Sequence, residues 1–227
     1  MMKRSSYLLA LLFFFSSCFA QSNIKQTEQD QAYTKVINER AAKIVATLGI
    51  TDASKASQVQ DIIATRYRQL NDIQSKRDEK IKAAKAQNAN NKETIAAQVK
   101  NYEDAANTEI ELSHKEYLSA LSKELTPQQI DQVKDGMTYN VLPITYKGYL
   151  EMIPELTNKQ KDQIKIWLTE AREHAIDAGT SEKKHWWFGK YKGRINNYLS
   201  AEGYDLKKAG EDWEKRRNAA KNVSNNQ

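Results

Sequence analysis

Acidic side chains on one predicted helix are the first candidates for chemistry. Periodicity predicts a helix from Thr157 to Ala178, on which Glu170, Glu173 and Asp177 share a stripe about 60° wide. Three carboxylates this close repel one another unless cations or a ligand offset their charge. Two interpretations follow: a salt-bridge network between neighbouring helices, or a charged cleft. A carboxylate pair also suits a glycosidase, in which the separation of the two groups determines the chemistry.

The next predicted helix, 184–199, supplies both aromatic and basic groups. Gly179 and Thr180 form a tight connection that brings this helix back antiparallel, so we expect its cations, including Lys190 and Arg194, to meet the acidic stripe. Its apolar face includes Phe188, Tyr191 and Ile195. The opposite face carries aromatic, basic and amide groups and two glycines four residues apart: Trp186, Gly189, Lys190, Gly193, Asn196 and Asn197.

The glycines on that opposite face cost roughly 1 kcal/mol each relative to alanine in a helix. We therefore expect a compensating contact there, either a second packed helix or a ligand. The first interpretation makes 184–199 a central helix packed on both sides. The second makes the face a binding surface, because indole and phenol rings stack on sugars and amides bond hydroxyl groups.

A third wall of the candidate site comes from residues 139–146. Gly136 is expected to end a helix, and Pro143 excludes a long uninterrupted one, so the tyrosines between them are predicted to lie in an irregular segment. Those tyrosines would line a pocket or fill the core. The candidate ligand-binding residues are Tyr139, Tyr146, Glu173, Asp177, Trp186, Lys190, Arg194 and Asn197.

Other catalytic signals in the sequence are weak, and no catalytic residue is assigned. Ser181 and Lys184 match Ser-x-x-Lys, but Ser181 is better explained as a helix cap. The three histidines lack metal-ligand spacing, and no glycine-rich phosphate loop follows a strand, so neither a metal nor a cofactor is expected. Lysines and acids are interspersed without an arginine cluster, which argues against nucleic acid as a partner.

The elements that must position these groups are all predicted to be helices. The 227 residues include only 3 prolines and 8 glycines, and the alternating pattern of strands is missing. A first helix covers about 29–47 and ends at Gly49. A long second and third helix, separated at Asn88–Asn91, are predicted to form an antiparallel hairpin with a solvated tip. Two Leu-Thr-x-x-Gln segments, at Leu125 and at Leu156, predict capping boxes.

The first twenty residues have the pattern of a secretory signal peptide. Lys3 and Arg4 precede an uncharged apolar segment, and Ala20 is the expected cleavage site. Cleavage there lowers the net charge by 2, from +6 to +4, and leaves a periplasmic or secreted chain without cysteine. Lipidation at Cys18 is the alternative. A helical domain over 21–219 and a disordered tail over 220–227 follow, with no transmembrane span and no indication of an oligomeric state.

Two resemblances bear on function. The repeated Leu-Thr-x-x-Gln segment is similar to that of bacterial periplasmic stress chaperones. The blocks Lys134–Tyr139, Ala171–Asp177 and Gly189–Leu199 resemble an uncharacterised family of secreted bacterial proteins, associated with polysaccharide-utilisation gene clusters and described as sugar-binding. This second resemblance spans about Tyr33 to Tyr204. It implies an oligosaccharide ligand but transfers no catalytic residues.

Three functional hypotheses remain open. The leading one is a secreted carbohydrate-binding or accessory protein of polysaccharide utilisation. The second is a periplasmic helical chaperone, and the third is a carbohydrate-active enzyme.

Overall fold

The computed structural model describes residues 28–225, which form eight helices and no strand, and the all-α prediction is confirmed. The first helix, α1, covers 28–45 of this range. The others are α2 (Ala53–Gln87), α3 (Lys92–Glu124), α4 (Pro127–Met137), α5 (Val141–Met152), α6 (Asn158–Ile176), α7 (Ser181–Ala201) and α8 (Leu206–Asn225). The predicted signal peptide and the alternative lipidation site at Cys18 lie outside the described residues. Helix α8 extends into the segment predicted as a tail, of which 226–227 lie outside this range.

The predicted break between α1 and α2 is confirmed. Gly49 has a positive φ of 66°, a conformation that glycine adopts without steric cost. Asp52 then caps α2 by accepting hydrogen bonds from the backbone N–H groups of Ser54 and Lys55. These caps supply partners for donors that a helix N-terminus otherwise leaves unpaired.

Helices α2 and α3 form the predicted antiparallel hairpin. Each is more than thirty residues long, and they pack along one another because apolar side chains recur at helical spacing on both. Asn91 caps α3 through the N–H of Thr94, so the predicted break at Asn88–Asn91 is confirmed. One charged residue, Arg66, lies among the apolar positions of α2 and is fully buried.

Both Leu-Thr-x-x-Gln segments form complete capping boxes. Thr126 and Gln129 exchange hydrogen bonds at the start of α4, and Thr157 and Gln160 do the same at the start of α6. Pro127 occupies the first turn of α4, where its missing N–H removes no helical hydrogen bond. The repeated motif is therefore explained by helix capping.

The prediction of an irregular segment over 139–146 is wrong from Val141 onward. Tyr139 and Asn140 form the connection with positive φ values of 60° and 56°, and α5 begins directly afterwards. Pro143 lies in the first turn of α5, a position at which proline is compatible with a helix. Gly136 does not end α4 but lies inside it, where an added Cβ would approach Ile44 within 2.8 Å.

Two clusters of buried apolar side chains stabilise the fold. One joins α1, the hairpin and α4, and the other joins α5, α6 and α7. Helix α6 contributes Ile176 to the first cluster and Ile164 and Leu168 to the second, so it connects them. Within the described range no helix is long and apolar enough to cross a bilayer.

Helix α7 is packed on one face only. Phe188, Tyr191 and Ile195 are buried as expected. A Cβ added at Gly189 or Gly193 would meet no atom within 4 Å, so the described residues place no helix against the opposite face. The interpretation of α7 as a central helix packed on both sides is wrong, because its polar face is open around the two glycines. On the same face, Asn196 accepts a 2.7 Å hydrogen bond from Tyr149 of α5.

Candidate functional site

A cleft of about 530 Å³ lies where the α2–α3 hairpin faces the connection between α6 and α7. We call it the indole cleft, because two adjacent tryptophans of α7 line it. The hairpin and the α6–α7 region each contribute polar and apolar groups. Its lining residues are Gln74, Arg77, Asn107, Ile110, His174, Asp177, Ala178, Gly179, Lys183, Trp186 and Trp187.

The aromatic wall of the cleft is braced by neighbouring rings. Trp187 stacks on His174 with a centroid distance of 4.3 Å and an interplanar angle of 15°. Trp186 packs edge to face against Trp187 at 4.9 Å and is 59% exposed. Lys190 lies one helical turn further on and approaches both indoles, at 5.7 Å and 5.1 Å from their centroids. An indole that is held in place yet remains exposed offers a flat apolar surface for a ligand.

The acidic group of the cleft is Asp177, at the C-terminus of α6. Its Oδ1 accepts a 2.6 Å hydrogen bond from Arg66 Nη2, whose guanidinium also donates to Ser113 Oγ. His114 Nδ1 lies 2.8 Å from Oδ2. Burial raises the pKa of Asp177, but His114 and Arg66 outweigh it and hold the pKa below its ordinary value. The carboxylate is therefore ionised at neutral pH.

Gln74 links the hairpin to the α6–α7 connection. Its amide donates to the backbone oxygen of Asp177 at 3.4 Å and lies where a Cβ on Gly179 would stand. Only glycine leaves room for this arrangement, so the shape of the cleft depends on the missing side chain at position 179.

Of the predicted site, the structure brings Asp177 and Trp186 together in the cleft. Lys190 contacts the two indoles but does not line the cleft. The other predicted residues lie elsewhere. Glu173 pairs with Lys134 of α4 at 2.7 Å and with Arg172, its neighbour on α6. Tyr146 packs against the cluster of α5, α6 and α7. Tyr139 stacks on His185 at 5.5 Å and lines two other pockets.

The predicted meeting of the acidic stripe with the cations of α7 is wrong for two of its three carboxylates. Glu170 does meet Arg194, at 3.4 Å, and Arg194 also lies over the ring of Trp167. Asp177 is paired from α2 instead, and Glu173 is paired from α4 and from its own helix. Asn197 is exposed three helical turns beyond Trp186, about 16 Å along the axis, and does not line the cleft.

Sequence reasoning missed the contribution of the hairpin. The sequence predicts only an antiparallel hairpin with a solvated tip, yet Gln74, Arg77 and Asn107 line the cleft and Arg66 orients Asp177. One signal was available for Arg66: its spacing from Ile63 and Leu70 places a charge on the apolar face of α2. A buried charge requires a partner, although the sequence does not identify which one.

The described side chains of the indole cleft do not form a set of metal ligands. Across the part of the chain that the structure describes, no three His, Cys, Asp or Glu side chains are placed together as metal ligands. The side chains around Asp177 instead combine an exposed indole, two amides, one carboxylate and the cations Arg77 and Lys183. Such a set suits a ligand rich in hydroxyl groups.

Comparison with known proteins places the chain in a family. The family model described as "Protein of unknown function (DUF3826)" matches residues 34–219, and the chain belongs to this family. The match covers every element that lines the indole cleft. No curated protein matches the sequence.

Proposed function

We propose that this protein is exported and binds an oligosaccharide in the indole cleft, as a carbohydrate-binding or accessory protein. The observation that carries the proposal is the exposed, braced indole of Trp186 beside the ionised Asp177 and the amides of Gln74 and Asn107. Sugars present apolar C–H faces that stack on aromatic rings and hydroxyl groups that donate to carboxylates and amides. The signal-peptide pattern supports export.

The size of the cleft also supports this ligand class. About 530 Å³ falls within the range of pockets that enclose small organic ligands, and it suits a short oligosaccharide. Arg66 contacts one oxygen of Asp177 and His114 the other, but a carboxylate has about four acceptor positions, so Asp177 retains the capacity to accept bonds from sugar hydroxyls.

Binding is favoured over glycoside cleavage by the acidic groups present. Asp177 is the one carboxylate among the described residues that line the cleft. Both common glycosidase mechanisms use two carboxyl groups that flank the scissile bond. Asp177 is also committed to Arg66, which keeps it ionised and unsuited to act as a general acid.

The chaperone hypothesis loses its main support, because the Leu-Thr-x-x-Gln segments are occupied in helix capping. Gln129 additionally donates to the backbone oxygen of Leu48, and Gln160 donates to Glu202. These contacts explain both glutamines without any binding partner.

The experiment is a titration with plant cell-wall oligosaccharides, followed by tryptophan fluorescence and by calorimetry. Trp186→Ala should weaken binding by about fivefold or more, since a stacked ring contributes about 1 kcal/mol or more and 1.4 kcal/mol is tenfold. Ile166→Ala is the matched control, because Ile166 is a large, half-exposed apolar residue on α6 that does not line the cleft.

A second control separates a change of fluorescence from a change of affinity. Trp213→Phe removes one of the four tryptophans at a position outside the cleft and should leave the calorimetric affinity unchanged. Equal affinity of Trp186→Ala and the wild type would contradict the proposal. Suppression of aggregation of an unfolded client, with no glycan response, would favour the chaperone hypothesis instead.

A further inference from the structure

A second pocket, of about 250 Å³, shares only Ala178 and Gly179 with the indole cleft. We call it the Lys184 pocket. Helix α1 contributes Arg40, α2 contributes Tyr67 and Asn71, and the α4–α5 connection contributes Tyr139. Its charges and hydrogen-bond donors differ from those of the cleft, which points to a different ligand.

The charges of the Lys184 pocket are all positive. Lys184 is buried, with an exposed fraction of 5%. Its ammonium donates to the backbone oxygens of Ala175 and Ile176, both at 2.9 Å. An ammonium has three donors, so one remains after these bonds. Arg40 has no carboxylate within 4.0 Å among the described residues, and no acid lines the pocket.

A neighbouring groove extends the same pattern. It shares Arg40, Tyr67 and Tyr139 with the Lys184 pocket, adds Lys43, and is again lined by no acidic residue of the described chain. Cations gathered around one concave surface, with no carboxylate among the lining residues, create a positive potential that attracts an anion. Asp177 lies close enough to act on Lys184, but its carboxylate is already paired with Arg66.

The neutral groups of the pocket are suited to the same ligand. Burial raises the pKa of Tyr67 to about 12, so its hydroxyl remains a donor at neutral pH. Tyr139 has a left-handed backbone, which is uncommon for an aromatic residue, and this places its ring against His185 at the pocket. Strained positions of this kind occur often where a side chain must be presented to a ligand.

We propose that the Lys184 pocket binds a small organic anion through its carboxylate or phosphate group, with Arg40 and Lys184 as the cationic contacts and Tyr67 and Tyr139 as hydroxyl donors. The volume accommodates a molecule of about one ring and excludes an oligosaccharide. This site is separate from the proposed glycan site, and neither proposal depends on the other.

The test is calorimetric titration of Trp186→Ala, in which the proposed glycan site is impaired, at neutral pH and constant ionic strength with three probes: inorganic phosphate, glucuronate and glucose. Phosphate or glucuronate should bind saturably and glucose should not. Binding of phosphate alone would identify the phosphate group as the ligand chemistry, and binding of glucuronate alone would identify the carboxylate. Absence of saturable binding by both anions, or equal binding of glucose and glucuronate, would overturn the proposal.

Variants locate the binding in this pocket. Arg40→Ala should lower the affinity for the bound anion by about tenfold or more, because charge-assisted hydrogen bonds are stronger than hydrogen bonds between neutral groups. Arg40 is exposed, so the variant is expected to fold, and Tyr67→Phe provides a second change that removes only a hydroxyl. Lys35→Ala removes a positive charge from an exposed position of α1 outside the pocket and should change nothing.

The Trp186→Ala variant distinguishes the two sites. It should leave anion binding unchanged, since Trp186 does not line the Lys184 pocket. Equal loss of anion affinity in Lys35→Ala and Arg40→Ala would show a general charge effect and would overturn the assignment.

Discussion

Arg66 Nη2 donates a 2.6 Å hydrogen bond to Asp177 Oδ1 and thereby connects the middle of α2 with the end of α6, 111 residues later in the chain. Arg66 is fully buried, whereas the side chain of Asp177 is 20% exposed. Asp177 therefore has two roles in the structure: it neutralises a buried cation, and it presents an ionised carboxylate to the indole cleft. The prediction that Asp177 meets Lys190 or Arg194 of α7 is therefore wrong.

The first prediction concerns the stability of this pair. Asp177→Asn leaves the guanidinium of Arg66 buried without a counter-charge, and breaking a buried ion pair costs about 3–5 kcal/mol. The amide oxygen of Asn still accepts a hydrogen bond, so we expect a loss near 3 kcal/mol in the free energy of unfolding. Urea denaturation measures this change.

Glu170→Gln is the control for the Asp177 variant. Glu170 pairs with Arg194 at 3.4 Å, and both side chains are about half exposed, so this change should cost at most about 1 kcal/mol. Equal effects of the two substitutions would contradict the conclusion that Arg66 depends on Asp177. Loss of stability in Asp177→Asn also means that its glycan affinity must be measured well below its melting temperature.

Local patterns were sufficient to predict most of the fold. The capping residues Thr126 and Thr157 and the break at Asn88–Asn91 depend on contacts between residues close in sequence, so the sequence shows them directly. Pro143 led to a wrong prediction. A proline interrupts the interior of a helix but is compatible with its first turn, and Pro143 lies in the first turn because α5 begins at Val141.

The candidate site was only partly predictable, because it depends on contacts between residues that are far apart in the sequence. Trp186 and Asp177 were recognised from their types and neighbours, but the partners of Asp177 come from α2 and α3. Such long-range pairing depends on how the hairpin packs against α6, which helical periodicity does not specify. The role of Gln74 beside Gly179 was missed for the same reason.

The second prediction concerns the pH dependence of stability at Lys184. Burial lowers the pKa of Lys184 to about 8, although Asp177 acts in the opposite direction. The ordinary value is 10.5, so between these two values the unfolded chain binds more protons than the folded one, and stability from this group rises with pH. The gain reaches about 3 kcal/mol at its full extent.

Denaturation of the wild type and of Lys184→Met at pH values from about 7 to about 9.5 isolates this effect. The stability of the wild type relative to the variant should increase across that range, while the contribution of the tyrosines cancels in the difference. Lys183→Met, at the exposed neighbouring position, should show no such pH dependence relative to the wild type. A constant difference for Lys184→Met would contradict the lowered pKa.

The third prediction concerns the shape of the indole cleft. Gly179→Ala places a methyl group where the amide of Gln74 lies, so Gln74 must move and its hydrogen bond to the backbone of Asp177 is lost. The end of a flexible side chain moves easily, so we expect a loss of only about 1 kcal/mol in stability, typical of one hydrogen bond. Glycan affinity should fall, because Gln74 lines the cleft. Unchanged affinity would remove Gln74 from the proposed binding set.

The last prediction concerns the open face of α7. Gly189 and Gly193 lie within the helix, and a Cβ at either position meets no atom within 4 Å. Alanine is favoured over glycine in a helix by about 1 kcal/mol, so Gly189→Ala and Gly193→Ala should each raise the free energy of unfolding by about that amount. Gly203→Ala is the contrasting variant, since the φ of 94° at Gly203 disfavours any side chain and the same substitution should destabilise the protein. Chemical denaturation of the three variants distinguishes these cases, and a destabilised Gly189→Ala or Gly193→Ala would show that the face is occupied by a partner in solution.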